Sequence, residues 1–359
     1  MAQGFHKRGI LPRLDNVPTI EVVVPCFNYG HYLEACVGSI LEQKGVDVSV
    51  HIIDDASTDD SAEAALALAS SDTRIRVTVH RKNMGHIATY NEGLLSVGAK
   101  YSVLLSADDM LPKNALQRAV SIMEKHPEVG LVYGYPQTFC DTPEEGSVYG
   151  RGYSTWEGRD WISAQVRRGL SIIYSPEAVV RTSIQKAVGG YNDLLPHTAD
   201  LEMWLRFADV SNIARVNGHL QAFRRVHNNS MMHTSFASLP VDLGERLKAY
   251  ESFFDKSHQN PSQVHVWSQE VRKVLAVEAI DLAVSTTHSN PEEFQLSLDL
   301  LDFAHRTNPG NLVLRGNKEL EILRNPRAKF VDRLSVVATS VERRLRVRKT
   351  WTRWQKYGI

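Results

Sequence analysis

Between Thr19 and Gly134 the chain alternates short apolar runs with longer amphipathic ones, and few folds accept that alternation. The runs "TIEVVVP", "VSVHIIDD", "RIRVTVH", "KYSVLLSADD" and "VGLVYG" are rich in β-branched residues and read as strands. Between them, "YLEACVGSILEQ" carries Leu33, Val37, Ile40 and Leu41 at helical spacing. "SAEAALALAS" is alanine-rich and follows the capping residues of "STDDS", while "ATYNEGLLSVG" and "NALQRAVSIMEKH" read as two further helices. Strands alternating with helices build β-α-β units, and hence a mostly parallel sheet flanked by helices. The expected class is α/β.

Ligands of such sheets bind outside the carboxyl ends of the strands. The distinctive residues of this chain fall there: Pro25 to Tyr29, Asp54 and Asp55, Asn83 to His86, and Asp108 and Asp109. The last pair, in "LLSADDMLP", sets two carboxylates side by side where a strand leaves the core. Asp is a good turn residue and Pro112 suits a helix start, so a solvated turn is one reading. A hard divalent cation is the other, because it relieves the repulsion and keeps positions open for phosphate oxygens.

Beyond Gln137 the pattern loosens. "CDTPEEGSVYGRGYSTWEGRDW" reads as a long loop near a site mouth. The stretch from Tyr174 to Val210 holds another strand and a helix with Leu201, Trp204, Leu205 and Ala208 on one face, and "LQAFRRVHNNS" reads as a strand and a loop. After Leu239 the pattern is helical, broken at "NPSQ", "HSNPEE" and "TNPGN". The expected organisation is a mobile leader over 1–18, an α/β domain over 19–238 and a helical accessory region over 239–359. The 359 residues, 43% of them hydrophobic, suffice for one large core or two. A net charge of +0 argues against nucleic acid as a partner. Cys26, Cys36 and Cys140 have no metal-ligand spacing and cannot all pair, which suits a reducing, cytoplasmic setting.

Taken in order, "VVVPCFNYGHYLEACVGSILEQ", "IIDDASTDDS", "NMGHIATYNEGL" and "VLLSADDML" resemble the successive signatures of family 2 glycosyltransferases. "VGGYNDLLPHTADLEMWLRFA" and "FRRVHNNS" are similar to later motifs of that family. The resemblance covers about residues 19–232. It implies the GT-A fold, a nucleotide-sugar donor, and transfer to a glycan, lipid-linked or other hydroxyl acceptor.

The residues agree with what such a donor needs. Pro25, Phe27 and Asn28 end the first strand, where backbone can line a nucleobase. The resemblance assigns Asp55 to a base N–H, with Asp54 either beside it or capping the next helix. It sets Asn83 and Gly85 against the nucleotide and matches Asn91 to the family's Asn. The family usually has Arg immediately before that Asn; here it is Tyr90. By the same resemblance Asp109 contacts Mg²⁺ or Mn²⁺ and Asp108 contacts ribose or sugar, although Ser106 stands where many relatives have Asp. His227 either completes the metal sphere or touches the diphosphate, with Arg224 and Arg225 as alternative diphosphate partners. Asp200 is the expected base and Trp204 lies on the acceptor side. Ala199 replaces the family's Glu, and the spacing favours Asp200 over Glu202.

The expected activity is therefore metal-dependent, inverting transfer from a nucleotide-sugar, with UDP-sugar as the default. A degenerate sugar-nucleotide-binding module is the non-enzymatic alternative, and a sugar-phosphate nucleotidyltransferase a second, though "PCFNYGHY" lacks the Gly-rich basic loop that reaction wants. The tail "SVERRLRVRKTWTRWQKYGI" sets Val347, Trp351 and Trp354 on one face if helical, among basic residues. It reads either as a peripheral contact with an anionic membrane or as packing on the accessory region or on a second subunit of a homo-oligomer.

Overall fold

The structure is a computed structural model that describes residues 6–144, 146, 151–227, 238–289 and 294–310, with scattered positions beyond. The chain divides into two compact units. The first comprises Met1–Ile162 and Ser171–Ser230, and the second Ser163–Leu170 and Met231–Ile359.

The first unit is built on one nine-stranded sheet. In chain order its strands are β1 (His6–Gly9), β2 (Thr19–Cys26), β3 (Asp47–Asp54), β4 (Ile75–Val79), β5 (Tyr101–Leu104), β6 (Val129–Phe139), β7 (Tyr153–Trp156), β8 (Val179–Arg181) and β9 (Asn212–Arg225). Their spatial order is β1-β7-β9-β6-β8-β5-β2-β3-β4. The run β5-β2-β3-β4 is parallel, β9 is parallel to β6, and β7 and β8 run against their neighbours. The parallel run is what the alternating sequence encodes. Its helices are α1 (Gly30–Leu41), α2 (Ser61–Ser71), α3 (His86–Ser96) and α4 (Ala115–Lys125).

In β2 both faces are covered, and Val22, Val23 and Val24 are fully buried. A central parallel strand is apolar on both sides for this reason. Burying each such side chain contributes about 1.5–3 kcal/mol. Farther along come α5 (Gly158–Val166), α6 (Thr182–Val188) and α7 (Ala199–Val210).

Two stretches differ from the sequence expectation. His6–Gly9, inside the expected leader, pair antiparallel with β7. The glycine- and tyrosine-rich stretch expected as a loop contains β7, whose four residues are all buried. β7 lies between β1 and β9, and both pairings rest on backbone hydrogen bonds, which need no hydrophobic periodicity.

In the second unit the described helices are α8 (Leu239–Lys256), α9 (Pro261–Ser289) and α10 (Phe294–Thr307). They bury Leu243, Tyr250, Phe253, Trp267, Leu275 and Leu300. Ser163–Leu170 belongs here because its polar groups are met by these helices. Tyr250 donates to the Gln165 carbonyl at 2.9 Å, Arg246 to the Gly169 carbonyl at 3.1 Å, and the Trp267 indole to Ser163 at 3.0 Å. Arg246 also pairs with Glu278 at 2.8 Å and Asp242 at 2.9 Å. Among the described residues no helix is long and apolar enough to cross a membrane. The tail residues Val347, Trp351 and Trp354 lie outside the described residues.

Candidate active site

The carboxyl ends of β2, β3 and β4 lie side by side and bring the first group of site residues together. Pro25 stands opposite Ile53 one residue before the end of β2, and Phe27, just past that end, is half exposed. Asn28 adopts φ +60° and its side-chain oxygen accepts from the Thr58 amide at 2.8 Å, while its own amide donates to Ser57. Asn28 thus ties the β2 exit to the β3 exit. Asp54 accepts from the Ser57 amide at 3.1 Å, a local turn bond rather than a cap of α2, whose N-cap is Asp60.

Asp55 is enclosed by donors. Its Oδ1 accepts from Met84 N at 2.7 Å and faces His80 Nδ1 at 2.7 Å, and its Oδ2 accepts from Gly85 N at 3.0 Å. Burial pushes this carboxyl up, but the hydrogen bonds from His80, Met84 and Gly85 outweigh it and hold the group below the usual range. Asn83 accepts from Gly85 N at 3.0 Å, closing the turn into α3, and Gly85 sits there at φ +85°, where a side chain would strain the backbone. His80 was not singled out in the sequence; an imidazole just past a strand carries no pattern of its own.

At the end of β5 the chain docks onto the end of β9. Met110 and Phe223 exchange backbone hydrogen bonds at 3.0 and 2.8 Å, and Arg225 N donates to Asp109 Oδ1 at 2.9 Å. Arg225 is buried and braces this corner. Its Nε donates to the Asp108 carbonyl at 3.0 Å, its Nη1 to the Cys140 and Asp141 carbonyls, and its guanidinium lies over Tyr32 and Phe139 at 4.4 and 4.3 Å. Arg224 instead lies over the Tyr174 ring at 4.9 Å. His227 Nε2 is 3.1 Å from Asp108 Oδ2, with Tyr29 and Tyr32 packed against its ring at 5.5 and 5.9 Å. Asp108 Oδ1 is buried with no protein partner. Burial and the charge of Asp108 push Asp109 well above the usual carboxylate range, against the pull of the Arg225 amide and of Arg224 and Arg225.

Asp200 is the second residue of α7, whose N-cap is Thr198. Its Oδ1 accepts from Leu201 N at 2.7 Å. Burial pushes its carboxyl up to about 6, against the Leu201 amide and His197. Desolvation therefore outweighs the pull of the helix N-terminus on this carboxylate. Glu202 is fully buried and paired with Arg206 at 2.8 Å, so it is a structural acid. Trp204 is also buried, packed between Tyr191 and Phe207 at 6.4 and 5.9 Å. Asn91 exchanges two hydrogen bonds with the Tyr191 backbone at 2.9 and 2.6 Å, so its amide joins α3 to the approach of α7.

Tyr90 packs its ring against His86 and Tyr191 at 5.5 and 5.8 Å. After burial, the charges of Asp108 and Asp109, then Tyr29 and Asp200, push its phenol up, so these groups share one electrostatic neighbourhood. The phenol is therefore a neutral donor there. Among the described residues no group of three or more His, Cys, Asp and Glu is arranged to hold a metal. A hard cation bound chiefly by substrate phosphates and water asks for only one or two carboxylates. The unpartnered Asp108 Oδ1 beside Asp109 fits that demand.

Comparison with known proteins agrees with this fold. Residues 21–179 match the model for Glycosyl transferase family 2. An uncharacterized glycosyltransferase of Haemophilus influenzae is 23% identical over 226 residues, 60% of this chain and 68% of that protein. Hyaluronan synthase of Pasteurella multocida is 26% identical over 216 residues, 58% of this chain but 21% of the synthase. The chain therefore spans about two thirds of the first relative and about a fifth of the second. Among solved structures the fold is similar to S. aureus TarS 1–349 in complex with UDP-GlcNAc, with a TM-score of 0.60, 16% identity and 88% of each chain covered. That likeness establishes a GT-A architecture. Residues 21–179, which run from β2 to β8 and carry both aspartate pairs, are thus similar to glycosyl transferase family 2 over somewhat under half of the chain.

Proposed function

We propose that this protein transfers a sugar from a nucleotide-sugar donor to an acceptor hydroxyl in one inverting displacement, using a catalytic domain over 19–238 and the helical region as an accessory. The observation that carries this reading is the buried Asp108–Asp109 pair past the end of β5, with Asp108 Oδ1 left without a protein partner.

In this reading Asp200 is the base. A carboxyl raised to about 6 is ionised at neutral pH yet basic enough to accept a proton. The Leu201 amide holds its Oδ1 and leaves Oδ2 for the acceptor hydroxyl. Asp109 and Asp108 hold Mn²⁺ or Mg²⁺, with His227 at the edge of that site. When bound, the cation neutralises charge on the departing diphosphate. Arg225 is engaged by protein carbonyls, so Arg224 is the better diphosphate cation. Pro25, Phe27, Asn28 and the 83–85 turn border the base, and Asp55 accepts from its N–H. Uracil has such an imide N–H, so UDP-sugar is the proposed donor. The acceptor is proposed to be a glycan, the product class named in hyaluronan synthase and chondroitin synthase.

Incubation with UDP-, GDP- and dTDP-sugars, with and without Mn²⁺, tests this reading. Release of nucleoside diphosphate that needs the cation is expected from one donor set. Asp200→Asn should stop transfer and leave donor affinity within a few fold, since a base acts in the transition state. Tight donor binding with no turnover under any of these conditions would favour the binding-module alternative.

A further inference from the structure

His80 follows β4 and is held at both ring nitrogens. Nδ1 lies 2.7 Å from Asp55 Oδ1, and Nε2 lies 2.9 Å from Glu92 Oε2. Its backbone amide donates to the Asp54 carbonyl at 2.9 Å, so the ring starts from a position set by the sheet. Glu92 belongs to α3, on the far side of the turn Arg81–Gly85. The ring therefore staples the end of β3 to α3 across the turn that precedes that helix.

A neutral imidazole has one N–H and one lone pair. With a carboxylate against each nitrogen, the neutral ring would point its lone pair at an oxygen anion. Both contacts are satisfied only by the imidazolium. The charges facing the ring are Asp55 from the β3 end and Glu92 from α3, while Arg81 and Lys82, next in the chain, are exposed. Burial lowers the affinity of His80 for its proton, but the two carboxylates outweigh that and raise it above the ordinary value.

The consequence falls on Asp55. Its Oδ1 is engaged by His80 and the Met84 amide, Oδ2 accepts from the Gly85 amide, and the Thr89 hydroxyl adds a further contact, so the carboxylate's direction is set by its protein partners. We infer that His80 is a positioning residue for donor recognition: its doubly donating ring fixes the Asp55 carboxylate and the 83–85 turn in the orientation that meets the nucleobase. The inference rests on the proposed role of Asp55 toward the base.

The pH sign follows from the two groups. Asp55 has a lowered pKa and stays ionised across the neutral range. His80 has a raised pKa, so the staple is intact below that value and loses one bond as pH rises through it. Donor affinity is therefore expected to decline on the alkaline side. Removing the Glu92 charge lowers the His80 pKa and moves that decline to lower pH.

Calorimetric titration of UDP into the full-length protein, with Mg²⁺ held constant between about pH 6.5 and 8.5, reads this directly. Wild type, His80→Gln, Glu92→Gln and Asp55→Asn are compared, because the titration of the UDP phosphate is common to all of them. His80→Gln is expected to weaken binding about three- to tenfold at the acidic end, the scale of one charge-assisted hydrogen bond, and to remove the pH dependence specific to wild type. In turnover it raises donor KM and leaves kcat nearly unchanged. Glu92→Gln, at a half-exposed position, keeps the fold and shifts the midpoint downward; if His80→Gln does not fold, this shift alone decides. Weak binding by Asp55→Asn together with unaltered affinity and pH profile in His80→Gln and Glu92→Gln would overturn the positioning role alone. Wild-type binding by Asp55→Asn would overturn the reading of Asp55, and the inference with it.

Discussion

Two aspartate pairs end two strands of the same sheet, and their second members have opposite fates. Asp54 and Asp55 close β3, and Asp108 and Asp109 follow β5. Both second residues are buried, at 4% and 5% exposure. Asp55 is surrounded by N–H donors and an imidazolium, so burial is overcome and its pKa falls. Asp109 accepts one backbone N–H and sits against the Asp108 carboxylate, so burial prevails and its pKa rises. Burial alone decides neither; the number of donors that reach the carboxylate does. The satisfied Asp55 shapes a surface, whereas the crowded Asp108–Asp109 pair is suited to a cation.

The contrast can be broken in order of expected effect. Asp109→Asn should lower metal-dependent transfer by about 10²-fold or more, with circular dichroism unchanged. Retention of most activity in the presence of Mn²⁺ would remove the metal role and leave the two pairs functionally alike. Next, kcat/KM should fall about tenfold per pH unit as pH drops below about 6, because the Asp200 base is then protonated. UDP affinity should lose far less over that range, since Asp55 remains ionised. A pH-rate profile flat to pH 5 would dismiss Asp200 as the base.

Thermal unfolding in a chelator should separate the pairs by sign. Asp55→Asn is expected to cost about 1–3 kcal/mol, since it leaves donors facing a weaker acceptor. The contribution of Asp55 is present above its unfolded pKa and is lost as pH falls through its lowered folded value. Asp109→Asn is expected to gain about 1 kcal/mol by removing a crowded charge. Equal signs would show that the two environments are not electrostatically opposed. The smallest effect belongs to Asp54→Asn, under about 1 kcal/mol, because one Ser57 amide is the hydrogen bond its carboxylate accepts.

Much of the site's location was legible, and its wiring was not. The aspartate pairs, Asn28 and Asn83 stand where apolar runs stop, so the strand ends mark themselves. Arg225 shows the limit. Beside Arg224 in the sequence it is an equivalent cation, yet in the fold its guanidinium is held by the Asp108, Cys140 and Asp141 carbonyls while Arg224 remains over Tyr174. Asn91 similarly matches a family motif but engages the backbone of Tyr191, one hundred residues away.

Alternation of apolar runs and helical stripes by itself determined the parallel core β5-β2-β3-β4, because side-chain periodicity reports local conformation and each crossover is short. The tertiary structure decided the rest. It added β1 and β7, inserted β8 against its neighbours, docked Met110 on Phe223 and set Glu92 opposite His80. Those choices depend on which unpaired edges and buried charges meet once the chain has closed on itself. A side chain's pattern in sequence carries its own preference for burial, but the partner that satisfies it exists only in the folded chain.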